Sequence, residues 1–538
     1  MKLHQIALLP LDSRPCCQWF PQKISEIAGS RLIVPPFELL GKFMKTGSCE
    51  SIRDWLVSAA GEADGMVVAA DQLAFGGLIG SRTNERTLEQ ALGTLEALRT
   101  IKENDPEKPL FVSSTLMRIS ITGRNAEYVH YKELVQHYSE LFDRRHRLNE
   151  TGVDAELEQV KAQIPAAILD DFLRARERNM VIHQQLIDWA AEGIIDYLTI
   201  TQEDASPVGL HILEQRKLQQ QIYERHAQSK TILYPGADEA AQTLLARMLQ
   251  TLGMRKVKVF PRFTSESGKL AIPQYEDRPI EETVKAHLWA AGSVIVDSPS
   301  EADLILAVNP PLADLTNDGN HTEDVKAFFD SRHMLSDLVE NAKYYIEQGR
   351  RVAIADVALP NASDMELVRY LLDERLFTRL TGYAGWNTAG NSLGTCISQA
   401  VARTLTELRR AGSGESMEDI DGIPAKATAM KAEAAHTSFL LSRLMDEWGY
   451  QAQVRGKANN WIASNLPVSP WDLESYYDQV NEFVVERMKE LFTATRPMLV
   501  DSLTDTAALS VRDVQLTSVR LPWNRTFEVD VKLDVTLG

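Results

Sequence analysis

Seven short runs rich in apolar and β-branched residues recur early in the chain: QIALLPLD, RLIVPP, GMVVAAD, PLFVSSTLMR, IDYLTITQED, KTILYPGADE and VKVFPRF. A helical pattern follows each. Strands that alternate with helices argue for a parallel sheet covered on both faces, because parallel neighbours need a crossover long enough to hold a helix. A second α/β stretch follows in AGSVIVDSPSEADLILAVNPP, RRVAIADVALPN and FTRLTGYAGWNTAGNSLGT. The pattern allows a closed barrel or an open doubly wound sheet. The expected architecture is a (β/α)8 barrel-like core over residues 1–407.

Between the fourth and fifth runs, residues from about 125 to 192 read as charged helices. That length exceeds one crossover, so a helical insertion covering the site is expected. Residues 408–538 are expected to form a helical C-terminal region entered through RRAGSGESMEDIDGIP. The tail LTSVRLPWNRTFEVDVKLDVTLG alternates apolar and polar residues as a β hairpin does.

With 57 Lys and Arg against 75 Asp and Glu, the net charge of −18 repels polyphosphates and anionic bilayers. Neither a nucleic-acid partner nor a membrane partner is expected. The first apolar run is too short for a secretory core or a membrane span, so a cytoplasmic location is expected. Cys16, Cys17, Cys49 and Cys396 lack the paired spacing of a zinc site and read as buried, reduced thiols.

In parallel α/β folds the ligand lies at the C-terminal ends of the strands. Those ends supply Asp12 with Ser13 and Arg14, Asp71 with Gln72, Arg118, Gln202 with Glu203 and Asp204, and Asp238 with Glu239. Any one of these acids also suits a helix cap. Five such ends together point to a carboxylate-rich mouth. DQLAFGGLIGSR matches neither the dinucleotide fingerprint nor the P-loop, and its Arg82 suits an anionic or hydroxyl-rich group. In YAGWNTAGNSLGT, Trp386 offers a face for a sugar ring, and Asn387 and Asn391 offer uncharged donors and acceptors. His211 reads as structural, since no metal-binding spacing surrounds it. No cofactor and no metal are expected. A Mg or Mn site built from Asp12, Asp204 and Asp238 is the alternative.

Asp238 and Glu239 follow Gly236 at a strand end, where the chain leaves the sheet and both carboxylates can face one pocket. Two close carboxylates divide into a protonated acid and an ionised partner, as glycoside cleavage requires. The same pair equally suits a helix start, with Asp238 as the cap.

Through LLPLDSRPCC, DQLAFGGLIGSR, YPGADE, GYAGWNTAGNSLGT and LPWNRTFE, the chain resembles the bacterial domain-of-unknown-function family 4127 along nearly its whole length. YPGADE is also similar to the strand-end motif of the retaining β-N-acetylhexosaminidases, which are barrel enzymes. That resemblance implies that Asp238 orients a substrate acetamide and that Glu239 protonates the leaving oxygen. GWNTAGN is similar to ligand-binding ends in other N-acetylglucosaminidase barrels. The expectation is a glycoside hydrolase acting on N-acetylhexosaminides, with a small carbohydrate as its substrate. Two alternatives stand beside it: a metal-dependent sugar isomerase or hydrolase using Asp12, Asp71, Glu203 and Asp204, and a carbohydrate-binding protein without turnover.

Overall fold

The computed structural model describes residues 3–123, 126–265, 268–311, 332–412, 425–504 and 509–538. The early apolar runs become β1 (Gln5–Leu9), β2 (Arg31–Ile33), β3 (Gly65–Ala69), β4 (Leu110–Leu116), β5 (Tyr197–Gln202) and β6 (Thr231–Pro235). They pair in the order β2-β1-β3-β4-β5-β6, and every pair is parallel. Every residue of β3 and β4 is buried, which is why these segments read as continuous apolar runs rather than as alternating ones.

Then come β7 (Lys258–Phe263), β8 (Val294–Ile295), β9 (Leu304–Asn309), β10 (Val352–Asp356) and β11 (Gly382–Ala384). They form a second parallel sheet in the order β8-β7-β9-β10-β11. This path repeats the first five strands of the first sheet, so one doubly wound order is drawn twice. The expected parallel α/β character is present, divided between sheets of six and five strands. Among the described residues no ladder joins the edges β2 and β6, so these pairings do not establish the eight-stranded barrel.

The helices Ala240–Leu252 and Ala389–Gly412 pack together between the sheets, and one apolar cluster runs from Ile6 and Leu8 through Leu244 and Leu245 to Ile397 and Val401. Between β4 and β5 lie the helices Ala126–His146, Asp154–Gln163 and Ala166–Glu192. Their own small core, including Val135, Leu141 and Phe172, also holds Met117 and Ile121 from the loop after β4. The C-terminal part consists of the helix Ala425–Arg443, the wide-turned segment Leu444–Val454 and the helices Arg455–Asn465 and Tyr477–Leu499. It ends in β12 (Val511–Arg520) paired antiparallel with β13 (Asp530–Leu537). Residues 413–424 of the linker RRAGSGESMEDIDGIP lie outside the described residues. No described helix is long and apolar enough to cross a membrane.

The helix that follows β11 touches the β6 turn through glycines. A Cβ on Gly390 would stand 2.3 Å from the Pro235 carbonyl oxygen, and one on Gly394 would stand 2.0 Å from Glu239 Cγ. Glu239 is pinned by hydrogen bonds and cannot yield. Gly394→Ala is therefore expected to lower stability by about 1–3 kcal/mol in urea unfolding, although alanine favours a helix over glycine by about 1 kcal/mol. A variant as stable as the parent would show that this contact relaxes freely.

Candidate functional site

A cavity of about 380 Å³ opens where the C-terminal ends of the strands of both sheets meet the C-terminal region. After β1 it receives Arg14, after β3 Arg82, after β4 Arg118 and after β5 Glu203 and Asp204. Gly236, Ala237 and Asp238 enter after β6, and Asn387, Thr388 and Asn391 after β11. Lys132 and Val129 descend from the helical insertion. The far wall is Trp471, Trp523, Phe527, Arg455 and Arg525. Eight residues picked from the sequence thus converge on one space: Arg14, Arg82, Arg118, Glu203, Asp204, Asp238, Asn387 and Asn391.

Arg14 is the hub, 4 % exposed between two buried acids. Its Nε donates to both oxygens of Asp12 at 3.0 and 2.9 Å, while Nη1 and Nη2 reach Asp238 Oδ2 and Oδ1 at 2.9 and 2.6 Å. Asn387, held in the left-handed region at φ 72°, donates from Nδ2 to Asp238 Oδ2 at 3.0 Å. Asn391 Oδ1 accepts from the amide nitrogens of Asp238 and Ala237 and fixes the turn. Burial pushes the Asp238 carboxyl up to about 6; Arg14 pulls against that, and the negative charges of Asp12 and Glu203 add to it. Arg82 binds Glu203, and Arg118 binds Asp204.

The expected catalytic pair is split. Glu239 is 1 % exposed and does not line the cavity. Its Oε2 accepts from the Ala237 amide at 2.9 Å, and Oε1 faces His287 Nε2 at 3.3 Å. A proton on Glu239 therefore has no path to a cavity ligand in this geometry. Nor does either acid cap the following helix: Glu239 occupies the cap position, but its side chain makes no capping hydrogen bond. The left-handed Gly236, at φ 149°, causes the split. It folds the Glu239 carboxylate so close that a Cβ there would meet Oε1 at 2.1 Å.

Four other expected residues stand behind the lining. Asp12 supports Arg14. Asp71 accepts from the Thr115 amide at 2.9 Å, and burial pushes its carboxyl up to about 7. Gln72 is fully buried against the Gly41 amide. Gln202 donates to the carbonyls of Met117 and Glu203. Trp386, expected to carry a sugar, is 6 % exposed and packs against Phe527 at a centroid distance of 5.7 Å. The aromatic side chains that do line the cavity are Phe43, Tyr275, Trp471, Trp523 and Phe527. Trp523 and Phe527 sit within LPWNRTFE, so the motif was visible, but its meeting with Arg14 at 5.1 Å was not.

His211 donates or accepts only locally, at Ser206, as a structural histidine does. The four cysteines are buried and unbridged. Among the described residues, Cys16, Cys17 and Asp238 form one group close enough to share a metal ion. Arg14 already occupies both Asp238 oxygens, so this donor set does not suit a cation.

Behind Tyr275, Glu276 is 1 % exposed; its Oε1 accepts from the Gly390 amide at 2.8 Å and its Oε2 has no partner among the described residues. Burial pushes its carboxyl up to about 8. A raised folded value means that the native state holds the proton more tightly than the unfolded chain does. Stability from this group is present below about 4.5 and falls away as pH rises toward about 8. Glu276→Gln is therefore expected to melt higher than the parent at pH 8, with the difference shrinking at pH 5. Thermal unfolding at both values checks this, and a difference independent of pH would overturn it.

The model of the family described as Protein of unknown function (DUF4127) matches residues 6–532. The chain belongs to that family. The DUF4127 match takes in both sheets, the helical insertion and the aromatic wall, so the cavity as a whole lies inside it. No curated protein matches the chain. The family match brings no hexosaminidase relationship with it.

Proposed function

We propose that the chain is a glycoside hydrolase acting on a small carbohydrate, N-acetylhexosaminides included, with Asp238 as proton donor and Glu203 as the ionised partner. One observation carries this reading: these two carboxylates face the same 380 Å³ cavity, and Trp471, Trp523 and Phe527 wall it. Aromatic faces suit the apolar side of a sugar ring, and the amides and arginines suit its hydroxyls. Asp238 takes the acid role because burial pushes its carboxyl up to about 6 against the pull of Arg14, and Oδ1, which accepts from Arg14 alone while Oδ2 accepts from both Arg14 and Asn387, is the oxygen with room for the proton. Glu203, bound by Arg82, is suited to stabilise positive charge developing at the anomeric carbon.

A screen of chromogenic glycosides with the full chain, before and after chelation, tests the reading. Turnover that survives chelation supports it, whereas turnover that requires an added divalent ion supports the metal-dependent sugar isomerase or hydrolase. A second reading has its own observation. Each carboxylate lining the cavity is held by an arginine, Asp238 by Arg14, Glu203 by Arg82 and Asp204 by Arg118, as suits binding without chemistry. Sugar binding in calorimetry with no turnover on any glycoside of the screen would favour that carbohydrate-binding protein.

A further inference from the structure

The carboxylates of the cavity do not balance its cations evenly. Arg82 and Arg118 are matched by Glu203 and Asp204. Lys132 stands beside them, half-buried on the insertion helix, and its ammonium has no hydrogen bond or ion pair among the described residues. Arg118 and Arg82 act on Lys132 as like charges and Asp204 as an opposite one, so the three cations and the acids share one electrostatic neighbourhood. Burial, followed by Arg118, draws the Lys132 ammonium below its ordinary value. Two further donors there, Arg82 Nε and Arg118 Nε, are buried without partners among the described residues. Both Nε atoms are closed to water, so a ligand would meet these two arginines through the parts of their side chains that line the cavity. Lys132, half-buried on the cavity wall, is a charged donor that a cavity ligand can reach, beside the guanidinium groups of Arg82 and Arg118. The chain as a whole carries −18, so its long-range field does not gather anions, and this cation excess is local.

We propose that the carbohydrate bound in the cavity is itself anionic, and that its carboxylate or phosphate group seats against Lys132, Arg118 and Arg82. This substrate class rests on the carbohydrate reading above. Neutral pyranosides would leave the lysine unanswered, whereas a sugar acid or sugar phosphate presents charge at one end and ring faces at the other. The ring would then lie toward Trp523 and Phe527, with the anionic end under the helical insertion.

Calorimetric titration of the full chain with glucuronate, glucose 6-phosphate, glucose and inorganic phosphate tests this, in the parent and in Lys132→Met. At least one anionic sugar is expected to bind about 10-fold or more tighter than glucose, as a charge-assisted contact provides. In Lys132→Met that ratio is expected to fall to about 3 or less. Lys132→Gln serves as a second variant if the methionine form melts early. Preference for glucuronate assigns a carboxylate, and preference for the phosphate ester assigns a phosphoryl group. Equal affinity for glucose and both anionic sugars would overturn the proposal and leave the carbohydrate reading standing. So would a ratio that Lys132→Met leaves intact. Inorganic phosphate binding that depends on Lys132, with no sugar bound, would remove the carbohydrate reading and keep the anion seat. Binding of none of the four would overturn the anion seat.

Discussion

Asp238→Asn is expected to lower turnover per folded molecule on an active glycoside by about 10² to 10⁴-fold, since the amide keeps the size and loses the proton, and to cost stability as well because its amide nitrogen replaces an oxygen that accepts from Arg14. Asn387 and Arg14 both contact Asp238, so its position is fixed by the hub and not by the helix that follows. The acid is useful only while protonated. Turnover of the parent should therefore decline as pH rises through about 6, where the Asp238 carboxyl titrates. Glu239→Gln is the contrasting variant. It sits against the Ala237 amide and His287, away from the cavity, so it should leave turnover per folded molecule unchanged and register in thermal stability instead. Rates for both variants on one substrate, with melting curves alongside, decide the matter. Turnover of Asp238→Asn within about 3-fold of the parent would remove the assignment.

Arg14→Met is expected to cost about 3–5 kcal/mol of stability, the scale for breaking a buried ion pair by deleting one partner. Arg14, Asp12 and Asp238 are 4 %, 2 % and 5 % exposed. Without the guanidinium, two carboxylates are left in low dielectric with their hydrogen bonds to Arg14 gone. The loss should be partly recovered by adding Asp12→Asn, which removes one of the stranded charges. Urea unfolding of the parent, the single variant and the double variant measures both effects. A single-variant loss below about 1 kcal/mol would mean that water replaces the arginine and that the hub is not closed.

Much of the site was legible because chemistry in a parallel α/β fold gathers at strand ends, and strand ends are local features. The run QIALLPLD announces β1 and places Asp12 and Arg14 just beyond it; IDYLTITQED does the same for Glu203 and Asp204. The apolar run marks where the sheet stops, and the first polar residues after it emerge at its edge. Lys132 carried no such signal. It lies in the middle of a charged helix whose residues look alike until the helix is set over a cavity.

The alternation of strand and helix, the parallel character, a helical insertion between β4 and β5 and a polar mouth at the strand ends were legible in the residue pattern; of the residues expected in that mouth, Arg14, Arg82, Arg118, Glu203, Asp204, Asp238, Asn387 and Asn391 line the cavity. Tertiary structure alone decided three things. It divided the strands between two sheets, since periodicity says that a segment is a strand but not which edge it joins. It brought Trp471, Trp523 and Phe527 from the C-terminal region onto the cavity, across a sequence separation of more than 400 residues from Arg14. And it sent Asp238 and Glu239 in different directions, because the left-handed Gly236 and the glycine-faced helix Ala389–Gly412 leave room for the glutamate only in the core. Adjacent residues at a turn have no fixed relation of faces. Their side chains go where the packing of distant elements leaves space and a partner.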